Sequence, residues 1–520
     1  MRFTKNDLMA GATVMLVLLL TSCKKDLLKT NTNPTAVDGN SYNANFLLTT
    51  TQLMYTGSTD FGAENWATEW GELSGFIQHC ASTNTAYYSG DKYLNAVGNF
   101  SVYFTHAYIY QVQPAVELYN LTAGKAQYKN LHQMARIMKA LIFERITDIY
   151  GDIPYFQAGQ GYYNRIYTPV YDKQKDIYAD LLKEVSEATD SLDKNADYPT
   201  GDVFYSNTSS YANQIDEWKM FGNTLLLRMA MRLTKVDPAT AQMYVNKVQG
   251  LTFGSNADNA IVQHEQGNET QNRDTWTILL QDSADLKWCK TYIDSLKLNN
   301  DPRLPVMSEI FATGSTDPAD QIGLPPGYII GGANPLTDIT KDTLYPALGM
   351  QGYSRINDNI LTYEAPNLIL TYAESEFLLA DAAKRWGIGD AATHYKNGVL
   401  AAITQLSAFG DASTISDADA ETYYDAHPYN DAIGLSQINT QFWLSTVMNE
   451  YESWNNWRRT GFPTLVPTNY TGNVTGGTIP RRLEYPQSEK VTNETNYNAA
   501  VALLPGGDKL TSRMWWDVAN

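Results

Sequence analysis

The stretch YAESEFLLADAAKRWGIGDAATHYKNGVLAAI, residues 372–403, contains two helical patterns on either side of Gly387-Ile-Gly389. In the first, Ala373, Phe377 and Ala380 recur at the spacing that places side chains on one face of an α-helix. A glycine directly after the last periodic residue is a common end of a helix. The stretch therefore predicts a helix, a tight turn and a second helix packed against the first.

The small and aromatic residues of this pair lie where a tetratricopeptide hairpin places its packing residues. Small side chains let paired helices approach closely, and an aromatic ring fills the neighbouring groove. We therefore predict a tetratricopeptide-like hairpin over residues 366–406, carried by Ala380, Gly387, Ala392, Tyr395 and Val399.

Apolar periodicity of the same kind recurs through most of the chain, and strand-like alternation is scarce. The sequence therefore predicts a mainly α fold. The expected helices are 43–55, 66–80, 94–121, 127–150 and 366–385, with two more marked by apolar stripes over 178–188 and 215–229.

Residues 251–363 interrupt this pattern because they are rich in Gly, Pro, Asn and Asp. Residues 460–504 are similar. A long irregular stretch inside a compact domain is usually a functional loop or a small subdomain. No composition change divides the chain, so we expect one domain over 42–520 with an irregular excursion at about 251–363.

The N-terminus has the features of a bacterial lipoprotein leader. Arg2 and Lys5 precede a thirteen-residue uncharged run, Leu8 to Leu20, which is too short to span a bilayer but suits a signal peptide. Thr21-Ser22-Cys23 follows and resembles a lipobox. We predict a signal peptide over 1–22, lipidation at Cys23, and a polar tether over 23–41.

Composition excludes some partners. The chain has 520 residues, a formal charge of −18 and a pI near 4.8, with no basic run longer than two residues. Nucleic-acid binding needs clustered Lys and Arg, so we exclude it. The 11 Trp, 35 Tyr and 16 Phe residues serve large cores and also sugar or peptide contact surfaces.

No metal or cofactor motif is present in the sequence. The six histidines are scattered, and neither Cys80 nor Cys289 has CxxC spacing. We expect two buried free thiols, although sequence leaves open whether the cysteines pair. No cofactor is expected, and a structural calcium ion in the acidic loops stays open.

Each of two further patterns has both a functional and a structural interpretation. Gly387-x-Gly389-x-x-Ala392 matches a dinucleotide fingerprint, but a helix precedes it where that site needs a strand, so a helix–helix turn is expected. Three groups of carboxylates, Glu69/Glu72, Glu374/Glu376 and Asp417/Asp419/Glu421, would serve a glycosidase only if two carboxyls faced each other across a cleft. For Glu69/Glu72 we expect solvent exposure. We expect Ser416 to cap a helix whose first-turn acids lie in Asp417 to Glu421.

Two loops combine aromatic rings with polar side chains. Residues 83–93 hold Tyr87, Tyr88 and Tyr93, and residues 268–276 hold Arg273 and Trp276. Ring faces cover the C–H patches of sugars, and Asn, Asp or Arg groups bond their hydroxyls. Packing of the same rings onto the helices is the alternative that stays open. Trp66 and Trp70, four residues apart, are expected in the core.

Several short strings, taken in order and spacing, resemble the SusD/RagB nutrient-binding lipoproteins of Bacteroidota, in particular the second SusD-like subgroup. The resemblance spans almost the whole chain after the leader. It rests on the lipobox at Cys23, Asn31-Thr-Asn-Pro34, Arg145-Ile-Thr-Asp-Ile-Tyr-Gly-Asp-Ile-Pro-Tyr155, Asp301-Pro-Arg-Leu-Pro305, Thr371-Tyr-Ala-Glu374 with its hairpin, 454–463, and Arg481-Arg-Leu-Glu-Tyr-Pro486 followed by Glu489 and Asn493.

The resemblance implies a superhelix of tetratricopeptide-like hairpins with a loop-rich subdomain. It also implies a lipid anchor at the outer-membrane surface and a SusC-like TonB-dependent barrel as partner, on which the protein sits as a lid over oligosaccharide cargo. No catalytic residue is implied. By rough position, Tyr328 joins the ring-rich loops among the candidate ligand-binding residues.

Two alternatives remain. The cargo could be peptides, since acidic charge would steer cationic ones toward the protein. An all-α polysaccharide hydrolase or lyase would also fit acidic charge, aromatics and helices.

Overall fold

Helices form most of the computed structural model, which describes residues 42–60, 62–205, 211–267, 270–277, 285–332, 334 and 336–519. The α-helices of nine residues or more are numbered here in chain order: α1 Asn45–Thr56, α2 Val97–His106, α3 Gln113–Thr122, α4 Lys129–Tyr150, α5 Gln174–Ser191, α6 Tyr211–Arg232, α7 Pro238–Val248, α8 Lys290–Leu298, α9 Tyr372–Trp386, α10 Ala391–Thr404, α11 Asp417–Ala426, α12 Gly434–Ser445, α13 Glu450–Thr460 and α14 Glu494–Leu503.

Shorter elements join these helices. A π-helix, Asn65–Leu73, runs into the turn Ser74–Phe76, and a second π segment, Ala107–Val112, joins α2 to α3. The short helices are Gly161–Asn164, Arg273–Thr277, Leu304–Met307 and Glu489–Thr492. The strands are β1 Cys80–Ser82, β2 Ala260–Val262, β3 Leu286–Trp288, β4 Ser308–Ile310, β5 Ser354–Ile356 and β6 Asn367–Leu370.

The hairpin α9–α10 forms as the sequence predicts. Thr371 caps α9 by accepting a hydrogen bond from the Glu374 backbone N–H, and Asp390 caps α10 by accepting one from Thr393. Gly387 ends α9 with φ of +68°, a left-handed conformation that glycine adopts without a steric penalty. Gly398 lies against the Phe377 ring, where an added Cβ would come within 2.7 Å of a ring carbon.

Consecutive helices pack beside one another on both sides of this hairpin. Each helix from α4 to α7 packs against the next one along the chain, and α10 packs against α11. Helix α9 also contacts α12, which packs on α13. The described residues from Asn45 onward form one compact unit.

Antiparallel two-stranded ladders β1–β3 and β2–β6 connect the irregular excursion to the helical part, and β4–β5 lies within the excursion. β1 pairs with β3, β2 with β6, and β4 with β5. Two expected helix boundaries are wrong for this reason. The helix expected over 66–80 ends before Cys80, which belongs to β1, and the helix expected from Pro366 begins only at Tyr372 because Asn367–Leu370 is a strand.

A buried ionic network joins four helices in the interior. Arg228 of α6 donates to both carboxylate oxygens of Glu374 on α9, at 2.6 and 3.0 Å. Arg232 binds Glu452 of α13 at 2.7 Å and Asp148 of α4 at 3.0 Å. Burial alone would raise the pKa of Glu452, but Arg232 and Arg228 outweigh it and lower that pKa.

Two adjacent arginines near the end of α13, Arg458 and Arg459, have different partners. Arg459 binds Asp381 of the hairpin helix α9 at 3.1 Å. Arg458 instead donates to the backbone carbonyls of Asp148 and Arg481, at 2.6 and 2.9 Å. Both arginines are buried, so the network belongs to the interior and faces no cleft.

Candidate functional site

Residues 83–93 form a loop that is held tightly against the π-helix Asn65–Leu73. The hydroxyl of Ser89 and the amide of Asn99 both donate to Glu72 Oε1, at 2.6 and 2.7 Å. Gly90 lies on the backbone of Glu72, where an added Cβ would come within 2.0 Å of the carbonyl oxygen. Only glycine permits this approach, so the loop has a fixed position on the helix.

Asp91 joins this loop to two others that are distant in sequence. Its Oδ2 accepts the backbone N–H of Gly327 at 2.8 Å, and its backbone carbonyl accepts the Thr468 hydroxyl at 2.7 Å. Lys92 Nζ lies 2.6 Å from Asp91 Oδ1, so the buried charge is paired. The three loops therefore form one rigid surface.

Tyr87 is the ring that this surface presents to solvent. Its side chain is 48% exposed, and its centroid lies 5.5 Å from that of Trp66, with 47° between the rings. Trp66 is half-buried, and its Nε1 atom is itself buried and has no hydrogen-bond partner among the described residues. The half-buried Trp66 ring therefore supports the exposed Tyr87 ring, and its N–H does not face solvent.

Tyr328 lies on the neighbouring loop, one residue after Gly327, and is half-buried. It packs on a small apolar cluster that includes Cys289 and Leu324. Burial raises the pKa of Tyr328, and its hydrogen bond to Asp342 raises it further. We call Trp66 and Tyr87 the Tyr87 platform; Tyr328 lies on a loop that Asp91 attaches through Gly327, and no described contact joins its ring to Tyr87.

The other predicted ligand-binding residues have different surroundings. Tyr88 and Tyr93 are buried, and burial raises the pKa of Tyr93 to about 12. Arg273 is also buried, against Gly57 and Gly62. These three side chains support loops and do not face solvent. Trp276 lies in the helix Arg273–Thr277, but its side chain is outside the described residues.

The carboxylate pair on the π-helix is buried, so the expected exposure of Glu69 and Glu72 is wrong. The helix is enclosed on several sides: Glu69 accepts the Glu450 backbone N–H at 3.0 Å, and Glu72 lies under the 83–93 loop. Burial raises the pKa of Glu72 to about 8 and that of Glu69 well above its ordinary value. Ser416 caps α11 as predicted.

The sequence predicts Trp66 in the core, but the structure places it half-buried beside the exposed Tyr87 ring. This position at the candidate site is what sequence reasoning missed. Trp70, its partner in that expectation, is buried and donates from Nε1 to Asp274 at 2.9 Å. Trp66 differs because Tyr87, 21 positions further along, reaches its ring without covering it. The only sequence signal was the proximity of Trp66 to a loop rich in tyrosine.

An internal cavity lined by Tyr292, Arg303 and Met448, among others, is a competing location. Its volume is about 40 Å³. The Tyr292 hydroxyl and Arg303 Nη1 have no hydrogen-bond partner among the described residues. Such a space has room for buried water but not for a sugar ring.

Three remaining predictions concern cysteines, metals and the leader. Cys80 and Cys289 are free and buried, as expected. Within the described part of the chain, no group of three His, Cys, Asp or Glu side chains could hold a metal ion. Cys23, the predicted signal peptide and the tether up to residue 41 lie outside the described residues.

Comparison with known proteins places this arrangement in a family. The model of a second SusD-like family, described as starch-binding and associating with the outer membrane, matches residues 40–486. The chain belongs to this SusD-like family. The predicted recognition is therefore confirmed, and no functionally curated protein sequence matches the chain.

Solved structures similar to this SusD-like chain cover 92% of its length. A chitin-binding protein is 31% identical over all of its own chain, with a TM-score of 0.81. A SusD-like protein of Bacteroidetes is 26% identical over all of its chain, with a TM-score of 0.78. A SusD homologue from Bacteroides uniformis, 23% identical over 99% of its chain with a TM-score of 0.74, shares the fold.

These neighbours confirm the tetratricopeptide-like helical fold class. The family is described as outer-membrane-associated, and its members are binding proteins. Among the described residues, no helix combines the length and the hydropathy that crossing a bilayer requires.

Proposed function

We propose that this SusD-like protein binds oligosaccharides on the Tyr87 platform, at the cell surface, and performs no bond chemistry. The observation that carries the proposal is the exposed Tyr87 ring, which the half-buried ring of Trp66 supports from one side. A pyranose ring presents C–H groups to an aromatic face of this kind.

The rigidity of the loop supports this assignment. Gly90 and Ser89 attach the loop to Glu72, and Asp91 attaches it to Gly327 and Thr468. Binding to a preorganised surface avoids the entropic cost of ordering loops around the ligand. Tyr87 can therefore meet a sugar ring without a rearrangement of the loop that carries it.

The cargo class that we propose is a chitin-type or starch-type glycan. The relative at 31% identity is a chitin-binding protein, and the family description names starch. Oligomers of N-acetylglucosamine are therefore the first ligands to test, and malto-oligosaccharides the second.

Isothermal titration calorimetry with both oligosaccharide series tests the proposal. Tyr87→Ala should abolish measurable binding, and Trp66→Phe should weaken it because a smaller ring then supports Tyr87. Tyr198→Ala, which removes another partly exposed tyrosine, is the matched control and should bind as the wild type does. Binding of lysine-rich peptides in place of both glycans would assign the platform to peptides.

We further propose that Cys23 carries a lipid anchor and that the protein acts as the lid of a SusC-like TonB-dependent barrel. The lipobox and the family's description as outer-membrane-associated support this role. Mild detergent extraction of the native outer membrane should co-isolate the two proteins. If the barrel never accompanies the chain, the lid role is wrong and glycan binding remains to be judged by calorimetry.

The absence of catalysis is part of the same proposal. The carboxylates of the π-helix lie under the loop and not across a cleft, and Glu374 is paired with Arg228. Incubation of the purified protein with chitin and starch should release no reducing ends. Turnover of either polymer would contradict the proposal.

A further inference from the structure

A second group of exposed rings lies on the loop between α4 and α5. Tyr162 is 87% exposed and Tyr167 is 77% exposed, and both belong to a stretch that begins after Pro154. Tyr162 contacts Tyr163 with a centroid separation of 5.2 Å and 88° between the rings. We call Tyr162, Tyr163 and Tyr167 the Tyr162 patch.

The loop that carries this patch is folded on itself. Asp172 Oδ2 accepts the backbone N–H groups of Tyr155 and Phe156, at 3.0 and 2.9 Å. Gln157 Oε1 accepts the backbone N–H of Val170 at 3.1 Å, beside these bonds at the base of the loop. The two ends of the segment that carries the rings are therefore held together.

The patch also has a fixed internal geometry. Gly161 begins the short helix Gly161–Asn164, and an added Cβ there would lie 3.6 Å from a carbon of the Tyr167 ring. The Tyr167 ring therefore lies directly beside the helix that carries Tyr162 and Tyr163. The backbone carbonyl of Gln160 accepts the N–H of Asn164 at 2.8 Å and closes that turn.

Polar groups that suit sugar hydroxyls surround these rings. Glu117 of α3 accepts the Tyr163 hydroxyl at 2.5 Å. The side-chain amide of Asn164, which is exposed, donates to that of Gln160, which is half-buried, at 2.8 Å. Ring faces interspersed with amides and a carboxylate have the chemistry of carbohydrate recognition, whereas a protein-binding core is depleted of such polar groups.

The patch is separated from the Tyr87 platform by the length of a helix. Helix α2, the segment Ala107–Val112 and α3 form one continuous helical stretch. It carries Asn99, which bonds Glu72 beneath the platform, and Glu117, which bonds Tyr163. At a rise of about 1.5 Å per residue, the two positions are about 25 Å apart. A short oligosaccharide on the platform would not reach the patch.

We propose that the Tyr162 patch is a second carbohydrate-binding site, which contacts a polysaccharide chain held at the same time by the Tyr87 platform. This inference rests on the proposed function and extends it from one contact to two. A long chain that engages both sites binds more tightly than a short one because the second contact is intramolecular.

The test compares a short ligand with a long one on the full-length protein. Chitotriose is measured by calorimetry, and soluble glycol chitin by affinity gel electrophoresis; maltotriose and soluble starch serve if chitin-type glycans do not bind. The double variant Tyr162→Ala/Tyr167→Ala should bind the polymer about tenfold more weakly, or worse, while its affinity for the trisaccharide is unchanged. Both side chains are exposed, so the variant should fold normally, and Tyr198→Ala is the control.

The outcomes distinguish this inference from the function on which it rests. Unchanged polymer affinity in the double variant, with the trisaccharide still bound, overturns the second site alone. A wild-type protein that binds neither chitin-type nor starch-type ligands overturns both proposals. Loss of co-isolation with an outer-membrane barrel, with polymer affinity intact, would show that the patch is a protein contact and overturn the second site.

Discussion

Two regions of the molecule, the helical interior around Arg232 and the Tyr87 platform, each contain a buried carboxylate. The partners of the two carboxylates differ: they are charged in the interior and neutral beneath the platform. Glu452 faces two guanidinium groups, and its pKa is lowered despite burial. Glu72 accepts hydrogen bonds from the Ser89 hydroxyl and the Asn99 amide, and burial raises its pKa to about 8. The first acid is ionised at neutral pH, and the second is largely protonated.

This difference indicates that the two regions respond to different perturbations. The interior depends on charge pairs that link α4, α6, α9 and α13, so removal of one charge leaves another buried and uncompensated. The platform depends on close backbone approach and neutral hydrogen bonds, so it should respond to added volume and to pH.

The largest effect is expected from Arg232→Ala. The substitution leaves Glu452 and Asp148 buried without their guanidinium partner. The free energy of unfolding should fall by about 3–5 kcal/mol in urea denaturation. Lys194→Ala, which breaks the half-exposed pair with Asp216, is the control and should cost about 1 kcal/mol or less. Equal losses in the two variants would show that the network does not stabilise the interior.

Gly90→Ala should have the next largest effect. Its Cβ would lie 2.0 Å from the Glu72 carbonyl oxygen, so the 83–93 loop must move away from the π-helix. Unfolding free energy should fall by about 1–3 kcal/mol, and glycan binding should weaken with it. Gly98→Ala in α2, where nothing lies within 4 Å of the new Cβ, should be neutral or stabilising. A Gly90 variant that binds normally would show that the loop position does not matter.

Glu72→Gln tests the protonated acid beneath the platform. Between the ordinary pKa of 4.5 and the folded-state value of about 8, folded protein keeps a proton that unfolded protein releases. Wild-type stability should therefore decrease as pH rises through this window, and the variant should decrease less. With these two pKa values, the difference in unfolding free energy should change by about 3 kcal/mol between pH 5 and pH 8. Parallel pH profiles would mean that Glu72 is ionised throughout.

The smallest effect on stability is expected from Tyr87→Ala, although it should remove glycan binding. The side chain is about half exposed and makes one described ring contact. Thermal and urea unfolding should agree with the wild type to within about 0.5 kcal/mol. A large loss of stability would indicate that Tyr87 is a packing residue, and the functional assignment would then lose its main support.

Local patterns determined the helices of this protein. Thr371, Asp390 and Ser416 satisfy the first N–H groups of their helices, and Gly387 ends α9, all through contacts within a few residues. Such features are visible in sequence because capping and amphipathic spacing are short-range. The mainly α class and the hairpin over 366–406 followed from them, whereas the family resemblance followed from short strings in a fixed order, such as Arg145 to Tyr155.

The tertiary structure alone decided which rings face solvent. Tyr87, Tyr88 and Tyr93 share one loop and similar neighbours, yet Tyr87 is exposed and the other two are buried. Tyr93 is covered because Val474 and Thr468 bond to it from more than 370 residues away. Burial of a loop side chain depends on which distant segments pack over it, and the composition of the loop carries no record of those segments.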